Sequence, residues 1–100
     1  MHHFIYLTTN LFTDEKYIGK HYGDLNDNYL GSGTVLLRAI KKYGKENFKR
    51  EILYISQDAE ENNIKEKEFI KAFNAVNDRT FYNIAAGGDG GDIFHTLPLE

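Results

Sequence analysis

Tyr6, Tyr17, His21 and Glu66 are the residues of this 100-residue chain whose types and spacing could do chemistry on a charged, oxygen-rich substrate. Tyr17 lies in KYIGKH (16–21), which sets a phenol, a side-chain-free Gly19, two ammonium groups and an imidazole within six residues. An imidazole titrates near neutrality, so His21 could bind a phosphate or shuttle a proton. A phenol titrates near about 10, so one acting as a base needs help from a cation or from a water already bound to a phosphate. A plain edge strand, kept soluble by its lysines, would carry much the same residues. The stretch alone leaves both readings open.

Glu66 is singled out by position. At about 100° per residue, Phe69, Ile70 and Phe73 form one apolar stripe, and Glu66 lies three, four and seven places before them. Glu68, two residues on, points to nearly the opposite side. A carboxylate on an apolar face costs free energy unless it is paired, hydrogen-bonded or bound to a metal. The bland alternative is a glutamate at the end of the stripe that reaches water or a lysine.

The elements that must position these groups follow from local pattern. FIYLTT (4–9) reads as a strand, NLFTDE as a turn and KYIGK as a second strand. A hairpin with a loop of about four residues predicts Tyr6 opposite Tyr17, side chains on one face. If the second strand continues past Gly19, alternation returns His21 to the face of Tyr17. HYGDLNDNYLGSGT is a loop, rich in glycine, Asn and Asp. TVLLRAIKKYG reads as a helix with Leu36, Leu37, Ile40 and Tyr43 on one stripe and Gly44 as its stop. Arg38, Lys41, Lys42 and Lys45 fall on the other side, either as a solvated face or as a phosphate-contacting stripe. FKREILYIS (48–56) is a third strand, and Asp58 with Glu61 resembles a capping box opening a helix through about Val76. The order β-β-α-β-α predicts a small α+β domain with a mostly antiparallel sheet.

Composition bounds the rest. The length is that of one domain with one modest core. No run approaches membrane-spanning length, the N-terminus lacks a signal-peptide layout, and there is no cysteine for disulfide or thiolate chemistry. Net charge is −3, yet residues 16–50 carry eight basic against three acidic residues, or +5, while residues 51–100 carry four against ten, or −6. Positive charge gathered in the middle third is compatible with nucleic acid despite the acidic sum. GGDGGD (87–92) is a single copy, weaker than a calcium-binding tandem array, and reads as a flexible or DNA-facing loop. LGSGT lacks the Gly-Lys-Ser/Thr ending of a nucleotide-binding loop.

Three features stand in order: IY at 5–6, YIG at 17–19, and a helical glutamate followed by YN at 82–83. With YIGKH, YLGSG, RAIKKYGKENF, EIL and YNIAAGGDGG, this series resembles the GIY-YIG nuclease superfamily, and its phage and homing-endonuclease branch most closely. The resemblance runs from about Phe4 to Asp92. It implies a three-stranded antiparallel sheet flanked by helices as a catalytic domain over residues 1–92, with 93–100 a loose tail. It also implies cytoplasmic, metal-dependent hydrolysis of DNA phosphodiesters. Tyr6 and Tyr17 match the motif tyrosines, Glu66 the metal-binding carboxylate for Mg²⁺ or Mn²⁺, and Asn83 an asparagine near the catalytic cleft. Gly19 fits a place where a side chain would block backbone or substrate approach. The implied partner is double-stranded DNA, met by a monomer through Lys20, Arg38, Lys41, Lys42 and Lys45, with a separate DNA-binding region beyond this chain.

Two departures matter. Phe4 stands where the first motif has glycine, and HYGDLNDNYLGSG contains no arginine where the family places a catalytic one. Arg38 is nearest in sequence, but the helical wheel turns it from the apolar stripe; Lys20 or His21 is the expected replacement. The missing arginine also keeps open a nucleic-acid-binding module of the same fold without turnover, and a harmless Glu66 would leave a small interaction domain.

Overall fold

A computed structural model describes residues 1–84. Three antiparallel strands, β1 (His2–Asn10), β2 (Lys16–Gly23) and β3 (Phe48–Ser56), form a sheet in the order β2-β1-β3. Helix α1 (Thr34–Tyr43) and a short 3-10 turn (Lys45–Asn47) join β2 to β3, and α2 (Ala59–Ala72) follows. This is the expected β-β-α-β-α order. The GGDGGD loop and the 93–100 tail lie outside the described residues.

β1 is the central strand, and everything from Phe4 to Asn10 is buried. Its two faces serve different cores, as period-two alternation requires. Ile5 and Leu7 join Ile18, Ile70 and Ala75 beneath α2. The other face carries Phe4, Tyr6 and Thr8. A second cluster of Leu36, Ala39, Phe48 and Tyr82, with Tyr17 packed against it, seats α1.

The register corrects the expected pairing. Tyr6 lies opposite Gly19, and Tyr17 opposite Thr8. The connection is five residues (11–15), closed by Asn10, whose Oδ1 accepts from Phe12 N and Thr13 N and whose own N–H donates to Glu15 O. The slip is by two residues, so both tyrosines stay on one face; a slip of one would have separated them. β2 runs on to Gly23, which places Tyr17, Gly19 and His21 on that same face.

Two helix details also differ. Leu37 is 49% exposed, and Leu36 with Ala39 forms the buried face of α1. α2 ends at Ala72, not Val76, because Asn74 turns left-handed at φ 54°. Ala75 N then donates to Ile70 O and Asn74 N to Lys71 O, the closure that satisfies the last carbonyls of a helix. At its start, Asp58 Oδ1 accepts from Glu61 N at 2.8 Å, but Glu61 turns its carboxylate to Gln57 N and Tyr54 Oη. Half of the capping box forms.

Candidate active site

The candidate site is built where Tyr6 crosses β2. Gly19 offers no side chain opposite it, so the phenol lies over the strand; a Cβ on Gly19 would collide with Tyr6 Oη and come within 2.6 Å of its Cζ. Tyr17 packs beside it, ring centroids 6.3 Å apart. Gly31 and Gly33, in the loop after β2, give Tyr17 its room, since a Cβ on either would stand 3.0 Å or less from its ring. Gly31 also has φ 135°, a conformation side chains rarely adopt. The YIG and LGSG glycines are thus the space that two rings fill, where room for the approach of backbone or substrate was expected at Gly19.

Glu66 comes from α2, on the buried stripe Asn62, Glu66, Ile70 at four-residue spacing, and is 7% exposed. Its charge acts on both phenols. Burial, the Glu66 carboxylate and Tyr29 push Tyr17 up to about 12, against a backbone hydrogen bond at Gly33. Tyr6 is raised far beyond the ordinary phenol range, first by burial and then by Tyr17, Tyr29 and Glu66. Both rings rest as neutral phenols at physiological pH. Lys20, on the α2 side of β2 opposite Ile5, bonds Asn63 Oδ1.

His21 is held on three sides. Its Nε2 meets Asp27 Oδ2 at 2.9 Å, Tyr29 stacks on its face at 3.9 Å and 8°, and the Phe4 ring meets it at 82°. Asp27 is gripped in turn by Arg50, whose Nη1 donates to Oδ1 at 2.6 Å. Arg50 Nη1 also donates to Tyr29 O and Nη2 to Leu25 O, and the guanidinium lies over the Phe4 ring at 4.9 Å. Burial opposes ionisation of Asp27, but hydrogen bonds from Arg50, His21 and the Tyr29 N–H hold its carboxyl at about 2.

Asn83 spends its side-chain amide on β2. Its Oδ1 accepts from Ile18 N at 2.9 Å and its Nδ2 donates to Ile18 O at 2.8 Å. With Lys16 N donating to Thr80 O and Tyr82 N to Lys16 O, the 80–83 segment zips along the outer edge of the YIG strand. Asn83 therefore anchors the backbone between the two motif residues Tyr17 and Gly19.

The basic residues do not gather at the phenols. Arg38, Lys41 and Lys42 are exposed on α1, with Lys42 Nζ 5.3 Å from the Tyr43 ring. Lys45 lines an open groove of about 600 Å³ between the 25–30 loop and β3, a groove that Tyr6, Tyr17 and Glu66 do not line. Pattern reading missed Tyr29, Asp27 and Arg50. Tyr29 stood within the YLGSG string, and Arg50 was visible only as one more positive charge.

The chain is 47% identical over 97 residues to the putative endonuclease segE of Enterobacteria phage T4, and 43% identical over 91 residues to endonuclease segA of the same phage. These matches take in 96% and 90% of the chain but 47% and 41% of those relatives, so the chain spans about half their length or less. Its fold matches the catalytic domain of intron endonuclease I-TevI (E75A mutant) with a TM-score of 0.66, 22% identity, and coverage of 87% of this chain and 97% of that one. Over nearly its whole length the chain is thus similar to part of each of these phage endonucleases, and it shares the fold of that catalytic domain. No protein-family model matches it. In this chain the two phenols and the imidazole share one face of the sheet and the charge of Glu66 bears on both phenols, while Arg50 sits on β3 and holds the 25–30 loop.

Among the described residues, no three His, Asp or Glu side chains converge as a ready-made metal cage. One buried carboxylate whose charge bears on two phenols still suits a hard cation that keeps most of its waters. No helix of the described residues is long and apolar enough to cross a membrane.

Proposed function

We propose that this chain is the catalytic domain of a divalent-metal-dependent endonuclease that hydrolyses phosphodiester bonds of double-stranded DNA, of the phage homing type. The observation that carries the reading is that a buried acid on a separate helix, Glu66, bears electrostatically on both motif phenols, which share one face of the sheet. The endonuclease names of the relatives support the same substrate class.

Hydrolysis adds water across a P–O bond: the water oxygen joins phosphorus, and the departing 3′ oxygen takes up a proton. Tyr17 is half-buried and closer to the ordinary phenol range than Tyr6, so it is the better group to orient the attacking water, and it would take that water's proton only after losing its own to solvent or a neighbouring base. Tyr6, 1% exposed and held neutral, serves as a fixed hydrogen-bond donor. His21, with Nε2 engaged by Asp27, has Nδ1 left to meet a phosphate oxygen or the leaving group. Glu66 would hold magnesium or manganese. When bound, such an ion neutralises charge on the phosphoryl oxygens and lowers the pKa of a coordinated water.

Lys20 and the basic face of α1 supply backbone contacts to DNA, a salt-sensitive attraction without sequence information. A separate DNA-binding region in a longer, monomeric protein would supply specificity; the greater length of the relatives supports that arrangement. The deciding experiment is supercoiled-plasmid cleavage at low salt with Mg²⁺, comparing wild type, Glu66→Ala and an EDTA control. Nicking that requires both the metal and Glu66 is the expected result. Binding without nicking, across metals and plasmids, would favour a binding module of the same fold.

A further inference from the structure

Tyr29 belongs to neither sequence motif that the site was read from, yet it touches both halves of the site. Its ring lies flat on the His21 imidazole, 3.9 Å away and 8° from parallel. It also meets Tyr6 nearly edge-on, at 5.9 Å and 86°, and is one of the groups that hold the Tyr6 phenol neutral. Its backbone is fixed at both ends: the N–H donates to Asp27 Oδ1 at 3.2 Å, and the carbonyl accepts from Arg50 at 2.9 Å. Asp27 shares one carboxylate oxygen with Arg50 and gives the other to His21. One residue on, Leu30 O accepts from the buried Thr8 Oγ1 at 2.6 Å, tying the loop to the central strand.

We propose that Tyr29 is a positioning residue of the candidate site: its hydroxyl fixes the Tyr6 phenol and its ring fixes the His21 imidazole, so that two candidate catalytic groups are held as one unit. The Arg50–Asp27 pair is the clamp that makes this possible. An irregular loop would otherwise be a poor platform, since catalytic groups must be held to fractions of an ångström by locked neighbours. Here a guanidinium with 7% side-chain exposure ties the loop down at three points, Asp27 Oδ1, Tyr29 O and Leu25 O. The two functions of Tyr29 are separable. Phenylalanine keeps the stack on His21 and loses the hydroxyl; leucine loses both.

The proposal rests on the candidate site being the catalytic one, so the test has one arm that reads activity and one that does not. In single-turnover plasmid nicking, Tyr29→Phe should slow cleavage about tenfold at unchanged DNA affinity, and Tyr29→Leu should slow it further. Tyr6→Phe combined with Tyr29→Phe should be no slower than Tyr6→Phe alone, because the hydroxyl acts through Tyr6. Wild-type rates in Tyr29→Phe, or independent multiplying losses in the double variant, would overturn the proposal. The second arm is NMR of ring-labelled tyrosine and histidine. Tyr29→Phe should move the Tyr6 signals and leave His21 in place, whereas Tyr29→Leu should move both. If wild type cleaves nothing, the nuclease reading fails, yet unmoved Tyr6 signals in Tyr29→Phe would still refute the coupling.

Discussion

Tyr6 faces Gly19 across the β1–β2 ladder, and its phenol fills the volume that any side chain at 19 would need. The two motif residues are one steric unit: the first motif supplies the ring, the second supplies the gap. Gly19→Ala puts a methyl against Tyr6 Oη, 2.6 Å from Cζ and 3.0 Å from Tyr17 Cε2. Overpacking of this kind costs about 1–3 kcal/mol, which in a domain of this size is a fall of several degrees in Tm for each kcal/mol. Cleavage should fall much more than the loss of folded protein explains, because both phenols are displaced. Thermal unfolding and nicking rates on the same sample check it; a stable, fully active Gly19→Ala would sink the steric account.

Asn83 saturates the N–H and C=O of Ile18, both buried beneath the 80–83 segment. Asn83→Ala leaves two buried backbone groups without a partner, at about 1–3 kcal/mol each. Asn83→Asp keeps the acceptor for Ile18 N and loses the donor for Ile18 O, so its loss of stability should be intermediate. Urea unfolding separates the three proteins. Equal midpoints would mean that Asn83 does not hold the β2 edge.

The phenol of Tyr17 should titrate well above its ordinary position. Burial is the larger cause and the Glu66 carboxylate the next. The negative charge disfavours tyrosinate, so Glu66→Gln should bring the midpoint down from about 12 towards 10. Tyrosinate absorbance against pH, differenced with a Tyr17→Phe variant, reads this directly. The linkage to stability has a definite sign. Between about pH 10 and 12 the unfolded chain has released the proton that the folded one keeps, so stability falls as pH rises through that window. A midpoint unmoved in Glu66→Gln would place the carboxylate too far from Tyr17 to share its site.

At the acid end, Asp27 has the opposite sign. Burial works against its ionisation, but Arg50, His21 and the Tyr29 N–H keep it ionised down to about 2. Its stabilisation is therefore present above the ordinary value of 3.8 and lost as pH falls from there towards 2. The loss should be local first. Amide exchange in residues 24–30 should quicken in Arg50→Lys at neutral pH, because a lysine cannot reproduce the fork of bonds to Asp27, Tyr29 O and Leu25 O. Exchange unchanged in that loop would show that something other than Arg50 holds it.

The amino-acid sequence by itself determined the order of elements, the face on which the two tyrosines sit and the anomaly of Glu66. These are carried by local periodicity: alternation keeps Tyr6 and Tyr17 together under any slip of two, and a four-residue spacing puts Glu66 in line with Ile70. Only the tertiary structure decided the register, because the five-residue turn capped by Asn10, not the alternation, sets how far the strands slide. It alone also recruited Tyr29, Asp27 and Arg50. Arg50 lies 23 residues from Asp27 and 21 from Tyr29, a distance across which no helical or strand period carries information. Their partnership exists because β3 returns beside β1 and brings a buried cation under a loop that the sequence shows only as turn-forming residues.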